Sequence, residues 1–352
     1  MDPNDIKQNA GMEALLTCFR RRSHVLFFRI KDLDGIVPKL KPTLSLSSQA
    51  TLNALRNRLS EYRLLSDLVA RKIVVYIENE IRFGVQRIGN DWHIPLNFFA
   101  DNSIIETAVI GENPSDVMLL LKFAECYIER EKIHGFFPNA RAICGGGSVI
   151  AASLSSYLRT ESSPCLSVTD SDKLHPKFKQ SIVTKRCIEI VNKAANKVAE
   201  HISLEEREIE NLIPHDLIKR IENANVFINQ INSIVVEDPG HWKYIDLKQG
   251  LALDWVARQD SETKKYWKKA EAELNRRKKG CCLCKNGEAK EKLCECTKIL
   301  GMGDNVLANA IDILSNNPLK LNLKLMQTDL RWEKIAKAIF DFTIAPKGEK
   351  VR

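Results

Sequence analysis

The sequence predicts an α/β protein: a parallel sheet with flanking helices over residues 103–258, an α+β region before it (1–102) and a mostly helical region after it (259–352). Three observations lead there. Short β-branched runs, IIETAVI (104–110), ARAIC (ending at Cys144) and PCLSVTD (164–170), alternate with segments of helical periodicity. Strands separated by helices pair in parallel inside a covered sheet. The 352 residues are 44% apolar and 28% charged, with Gly 16 and Pro 12, which excludes a disordered or collagen-like chain and provides for a core. At roughly 150 residues per domain, the length suits two domains or one with appendages.

The elements follow in order. Residues 25–30 read as a short apolar strand before the loop DLDGIVPKLKPTLSLSS. Leu52, Leu55, Leu59, Tyr62, Leu65 and Val69 recur at helical spacing, which predicts one amphipathic helix over 51–70. IVVYI (73–77) and IRFGVQRI (81–88) read as a hairpin, with DWHIPLNFF as a third strand. The strand IIETAVI ends at Gly111, and SDVMLLLKFAECYIEREKIHG reads as a helix with Ser115 as N-cap and Gly135 near its end. ARAIC stops at Gly145, Gly146 and Gly147; a helix over 148–158 and the strand PCLSVTD follow. A basic helix is expected over 177–199, with mostly helical chain beyond it.

The net charge of +8 arises from 53 Lys and Arg against 45 Asp and Glu. Mixed charge of this kind mostly solvates helix faces, so the sum points only weakly to nucleic acid. The opening MDPNDIKQNAGMEALL lacks the basic segment, apolar run and cleavage site of a secretory signal, and no apolar stretch approaches the about 20 residues of a membrane span. A soluble, cytoplasmic protein with no membrane partner is the expectation. Of the 10 cysteines, Cys281, Cys282, Cys284, Cys294 and Cys296 cluster, and the other five read as buried apolar fillers. In a reducing compartment, clustered cysteines bind metal more often than they form disulfides.

In an open α/β sheet, ligands bind beyond the carboxyl ends of the strands. Glu112 and Asp116 follow the first strand of the sheet at a spacing that stacks them once a helix has begun. Asp170 and Asp172 follow the third strand and share one face of an extended segment. Carboxylates converging on one sheet edge repel unless a divalent cation sits among them. An oxygen-only set favours Mg2+ or Mn2+ over zinc, and such sites orient a phosphodiester and generate a hydroxide or stabilise a leaving oxygen. Each motif also has a plain structural reading: Glu112 as a helix-start acid facing the macrodipole, Asp170 and Asp172 as a turn before Pro176, Lys248 as a surface lysine, and Glu208 and Glu210 as solvated charge. Glu78 in YIENE is a rival first acid, but no acid follows it at helical spacing. The triple glycine lacks the Gly-Lys-Ser/Thr of a P-loop, and no ATPase motif is present. His175, beside Pro176, reads as a loop histidine.

Five motifs in order carry a resemblance. VIGENPSDV (109–117) and VTDSDK resemble the two acidic motifs of the TOPRIM fold, a Glu after one strand and Asp-x-Asp after a later one. AICGGGSV is similar to the Gly-rich turn of TOPRIM nucleases of the overcoming-lysogenisation-defect (OLD) family and their shorter defence-associated relatives. REIENLI (207–213) resembles that subgroup's segment with an additional metal-binding Glu, here Glu210, and HWKYIDLKQGL (241–251) resembles its late motif, whose Lys stabilises the transition state, here Lys248. The resemblance covers residues 104–255. It departs in two places: the Gly precedes Glu112 where it usually follows, and Leu247 replaces the usual Gly. It implies a metal-dependent endonuclease in which Glu112, Asp116, Asp170, Asp172 and Glu210 hold Mg2+ or Mn2+, with Glu112 and Lys248 catalytic. It also implies a prokaryotic anti-phage role beside a separately encoded ATPase sensor or other defence subunit, with DNA or tRNA as the target.

The cysteine cluster reads C-x2-C, nine residues, then C-x-C, and its loop carries the turn pair Asn286-Gly287. Four thiolates, Cys281, Cys284, Cys294 and Cys296, suit structural zinc, leaving Cys282 spare. Upstream, KKYWKKAEAELNRRKKG packs cations around Tyr266 and Trp267, a composition suited to phosphate contact and base stacking. Lys264, Lys265, Lys268, Arg276 and Arg277, with Lys173 by the acidic motif, are the expected nucleic-acid contacts. A different class of function is a non-catalytic nucleic-acid-binding or assembly subunit that uses the knuckle and the basic arm. A homo-oligomer is compatible with either.

Overall fold

A computed structural model describes residues 5–40, 42–78, 83–102, 105–222, 224–235, 239–281, 284 and 294–347. The chain opens with α1 (Ile6–Arg20), α2 (Ile30–Leu40), α3 (Leu46–Asn57), α4 (Leu59–Leu68), β1 (Ile73–Tyr76), β2 (Gln86–Ile88), β3 (Asp91–Pro95) and α5 (Phe98–Asp101). It continues with β4 (Thr107–Gly111), α6 (Pro114–Arg130), β5 (Phe136–Pro138), β6 (Ala140–Cys144), α7 (Ile150–Thr160), β7 (Cys165–Thr169), α8 (Ile182–Lys193) and β8 (Ala199–Ser203). After α9 (His215–Ile218) and α10 (Ala224–Val235) come β9 (Gly250–Ala252), α11 (Leu253–Ala257), α12 (Ser261–Gly280) and β10 (Lys298–Leu300). The last elements are α13 (Val306–Asn316), α14 (Leu319–Met326), α15 (Glu333–Thr343) and β11 (Ile344–Pro346).

Two compact units form, each from separate stretches of chain, where three consecutive regions bounded at 102 and 258 are expected from sequence. The first comprises Met1–Val168, Arg186–Ile202 and Ile335–Arg352, the second Thr169–Lys185 and Ser203–Lys334.

The first unit is built on a four-stranded, all-parallel sheet in the order β6-β4-β7-β8, as the strand–helix alternation predicts. β4 and β7 are buried at every residue, which is why they read as unbroken apolar runs. Val109 pairs with Ala142 on one side and Leu166 on the other. α6 buries Val117, Leu120, Phe123, Ala124 and Tyr127, a helical-period stripe. The end of the chain closes this unit. β11 pairs antiparallel with β5, Phe340 meets Tyr127 at 5.3 Å, and Phe342 meets Trp92 at 5.8 Å. Buried Asp341 accepts from the Ala70 amide at 3.0 Å, Arg71 at 3.2 Å and Lys337 at 3.3 Å.

The second unit is mostly helical, with Phe227, Trp267 and Trp332 fully buried and one small antiparallel pair, β9 with β10. The indoles are hydrogen-bonded: Trp267 donates to the Leu174 carbonyl at 2.9 Å and Trp332 to that of Met326 at 2.9 Å.

Several expected elements differ. Residues 25–29 form no strand, and α2 occupies the stretch read as a loop; β propensity makes a strand only where a partner edge exists. The single helix over 51–70 is two helices broken at Arg58 (φ −110°, ψ 13°), although Leu52, Leu55, Tyr62 and Leu65 are buried as the periodicity requires. β1 does not form a hairpin with β2: both flank β3, β1 in parallel and β2 antiparallel. α6 starts two residues earlier than a Ser115 cap allows, because Asn113 caps it and Pro114 fills the first turn. The basic helix ends at Lys193, and Ala199–Ser203 joins the sheet as β8; a vacant sheet edge outweighs the helix propensity of an Ala- and Lys-rich stretch. Among the described residues, no helix is long and apolar enough to cross a membrane.

Candidate functional site

In the first unit, β4 and β6 end side by side. The Gly145 amide donates to the Gly111 carbonyl at 2.7 Å and the Gly146 amide to the Glu112 carbonyl at 3.0 Å. The triple glycine therefore stitches two strand ends together. Glu112 follows β4 directly and is half-buried; with burial, its charge raises the Cys187 thiol to about 11. Asp116 is buried, and its Oδ2 accepts the Asn113 amide at 2.8 Å. That is the return half of a capping box, so the helix start already employs this carboxylate. Glu78, the rival acid, accepts from Gly84 at 2.9 Å and Asn97 at 2.6 Å, a local structural role.

In the second unit, three segments converge that are far apart in sequence. The first follows β7. Asp170 Oδ1 accepts the Ile209 amide at 2.9 Å, and the Ser171 and Asp172 amides both donate to the Arg207 carbonyl, at 3.1 and 3.0 Å. Wrapping two amides around one carbonyl turns the chain, and Asp172 sits at φ +55°. The expectation that Asp170 and Asp172 share one face of an extended segment therefore fails. Asp172 is exposed and Asp170 half-buried.

The second segment is the turn of 3-10 helix Ile209–Leu212. The third runs from His241 to Lys248. Buried Asn211 joins them: its side-chain amide donates to the Trp242 and Ile245 carbonyls, both at 2.9 Å, and its oxygen accepts the Glu208 amide at 3.0 Å. The Arg207 amide donates to the Lys243 carbonyl at 2.8 Å, and its guanidinium meets Asp246 at 3.0 Å.

Lys248 stands at this junction, 3.1 Å from Glu210 Oε1 and 3.8 Å from Glu208 Oε2. Burial pulls its ammonium down, but Glu210, Glu208 and Asp170 outweigh that and hold it above the ordinary lysine range. The Glu208 carboxyl is pushed up to about 7, first by burial and next by Asp246, against Arg207 and Lys248. Glu210 is 4% exposed, so neither acid is the solvated charge its sequence context suggests. One oxygen of each, Glu208 Oε2 and Glu210 Oε2, is buried without a hydrogen-bond partner. Sequence reasoning missed Arg207, Glu208 and Asp246 as members of this cluster; the alternation of acids at 206, 208 and 210 and the Asp246-Leu247-Lys248 spacing are the signals available for them.

The second unit also contains the cysteine cluster. The Sγ atoms of Cys281, Cys284, Cys294 and Cys296 all lie within 4.8 Å of one another. Cys281 is 3.7 Å from Cys294, Cys284 is 3.3 Å from Cys296, and Cys294 is 3.1 Å from Cys296. A tetrahedral zinc with Zn–S bonds of about 2.3 Å sets its sulfurs about 3.8 Å apart, so these four cysteines could hold a metal such as zinc. Hydrogen bonds, first from the Cys284 amide, bring the Cys281 thiol down to about 7, while burial and the neighbouring thiols push that of Cys296 up. Among the described residues, no carboxylate group gathers its ligand atoms this tightly. Cys282 and the loop 285–293 lie outside the described residues. The scattered cysteines are not all fillers: Cys126, Cys165 and Cys187 are buried, but Cys18 is half-buried and Cys144 is exposed.

The basic arm is α12, capped by Asp260. Its aromatics are not free to stack on bases. Trp267 is buried, and the Tyr266 ring lies 4.4 Å from that of His241. His175 is likewise buried, against Phe178 at 5.5 Å. Arg276 and Arg277 both grip Glu273, at 2.8 and 2.9 Å, and with burial opposing them bring its carboxyl to about 2. Lys264, Lys265 and Lys268 are exposed, and Lys173 is half-buried.

No family model, curated protein or solved structure matches the chain.

Proposed function

We propose that the protein is a Mg2+- or Mn2+-dependent endonuclease with a TOPRIM-like core. The observation that carries this reading is the junction of 170–172, 207–211 and 243–248, three of the five motifs behind the resemblance, around Lys248. The donor set fits a hard divalent cation: Asp170, Asp172 and Glu210 offer only oxygen, and the partnerless Glu210 Oε2 is the kind of buried acceptor such an ion would satisfy. The resemblance adds Glu112 and Asp116. When bound, the cation would act as a Lewis acid on a phosphodiester. Lys248 neutralises charge on the phosphoryl oxygens, and the Ile209 amide with the Arg207 carbonyl fixes the Asp170 and Glu208 segments against each other. The resemblance extends the proposal to anti-phage defence beside a separately encoded ATPase, and the zinc assigned to Cys281, Cys284, Cys294 and Cys296 is structural.

Cleavage of plasmid, single-stranded DNA and tRNA, with and without Mg2+ or Mn2+, tests this. The wild type, with its genomic neighbour where required, cuts at least one of them only with metal; Glu112→Ala and Glu210→Gln each lose about 100-fold or more. Undiminished cleavage by both variants overturns the reading. Tight binding without cleavage favours the second one, a nucleic-acid-binding or assembly subunit, which the exposed lysines of α12 support.

A further inference from the structure

We infer that a metal held by the four cysteines is the clamp that positions Lys248. The inference rests on the proposed zinc and, for its functional meaning, on the nuclease reading.

The path is short and made of backbone. Cys296 lies two residues before β10, and Lys248 lies two residues before β9. These strands pair with each other in the register Lys298↔Ala252, Ile299↔Leu251, Leu300↔Gly250. Beyond the pair, the Met302 amide donates to the Leu247 carbonyl at 2.9 Å and the Gly303 amide to the Lys248 carbonyl at 3.0 Å. The residues after β10 thus hold the backbone of Lys248 itself. Contact is closest at two glycines. A Cβ on Gly301 would come within 2.0 Å of the Lys248 carbonyl oxygen, and one on Gly250 (φ +79°) within 2.0 Å of that of Ile299. No side chain fits between these strands, so their register admits no slack.

Within the lysine turn itself, the Asp246 carboxylate accepts the Gln249 amide at 2.7 Å and its carbonyl accepts that of Gly250 at 2.8 Å. A two-stranded ribbon of three residues each is marginal alone. Its far end is anchored by the cysteines: the Thr297 hydroxyl donates to the Cys294 carbonyl at 2.8 Å, and Cys281 ends α12. Four half-buried thiols in near contact are held by a metal or drift apart, because folding energy in such knuckles comes from the metal. Binding there fixes the start of β10, β10 fixes β9, and the turn that aims Lys248 at Glu208 and Glu210 follows. The cysteines and both glycines are positioning residues for Lys248.

Amide hydrogen exchange on the full-length protein tests the clamp without requiring activity. Zinc-loaded protein is compared with protein treated with a zinc-selective chelator, with metal content measured in each. Removal of zinc speeds exchange in 246–252 by about tenfold or more, leaves β4 unchanged, and is reversed by adding zinc. Cys284→Ser behaves as the chelated protein, whereas Cys284→His, which restores a zinc ligand, keeps both metal and protection. Gly301→Ala keeps its zinc and loses the protection of 246–252. Equal protection with and without zinc, or a protein that binds no zinc, overturns the clamp and leaves the nuclease reading standing. A protein that shows the zinc-linked protection but cleaves nothing overturns only the nuclease reading.

Discussion

Lys248 is where the chemistry of single residues is most exposed to test. It pairs with the carboxylate of Glu210, which has 5% of its side chain exposed, and it also faces Glu208. Removing this cation leaves Glu210 without its partner and Glu208 with Arg207 alone, at 3.5 Å, and an uncompensated buried charge costs more than the pair contributes. Lys248→Met is therefore expected to destabilise the second unit by about 1–3 kcal/mol in urea unfolding, discounted because the lysine keeps contact with water. Millimolar Mg2+ should return part of that loss if the acids accept a cation. A variant as stable as the wild type would show that Lys248 is not their counter-charge. Glu210 and Lys248 were legible in sequence only through their motifs, since a glutamate in a run of charges carries no mark of its burial. For Arg207, Glu208 and Asp246 the acid alternation and the Asp246–Lys248 spacing mark the positions but not the burial, because what buries them is a contact between segments more than thirty residues apart in the chain.

At the scale of elements, the joint that matters is Asn211. It lies inside a single turn of 3-10 helix, too short to hold its shape by its own ladder. Its side chain supplies two of the bonds to the 241–248 segment, so Asn211→Ala removes the donor that the Trp242 and Ile245 carbonyls share. The expected cost is about 2–4 kcal/mol, read as a lower denaturant midpoint, while Asn275→Ala on an exposed face of α12 should change little. An unchanged midpoint for Asn211→Ala would mean that the two segments do not depend on this joint. The elements recovered from sequence share one trait: β4, β7 and α6 are long, strongly patterned and buried by their own periodicity. Those misread are β8, whose Ala-Glu-His-Ile-Ser has no strand pattern, and β1, whose partner is the later strand β3 and not the adjacent β2. Non-local pairing decided both. The basic arm was recovered as a helix but not as a stacking surface, because its aromatic pair faces the interior and not the nucleic acid expected there.

For the molecule as a whole, the net charge of +8 says less than where protons are bound. In the first unit, burial holds the His201 imidazole at about 4, below its ordinary 6.5, with its Nδ1 2.8 Å from the Ser167 hydroxyl. Burial lowers His24 as well, partly offset by the Ile105 carbonyl 2.6 Å from its ring. Both rings are neutral when folded. Since the unfolded chain takes up these protons first, the stability they confer is full above pH 6.5 and is lost as pH falls towards 4. Asp341 acts in the opposite sense: burial, working against the Ala70 amide, Lys337 and Arg71, raises its carboxyl, so its contribution grows as pH falls. The histidines titrate at higher pH than a carboxylate, so their sign governs the upper part of the acid range. His201 alone should withdraw about 2 kcal/mol between pH 7 and 5. Urea unfolding of wild type and His201→Gln across that range separates the two effects, because Asp341 is common to both proteins. The slope of stability against pH should flatten in the variant by that amount; parallel slopes would show that the imidazole is not buried in its neutral form.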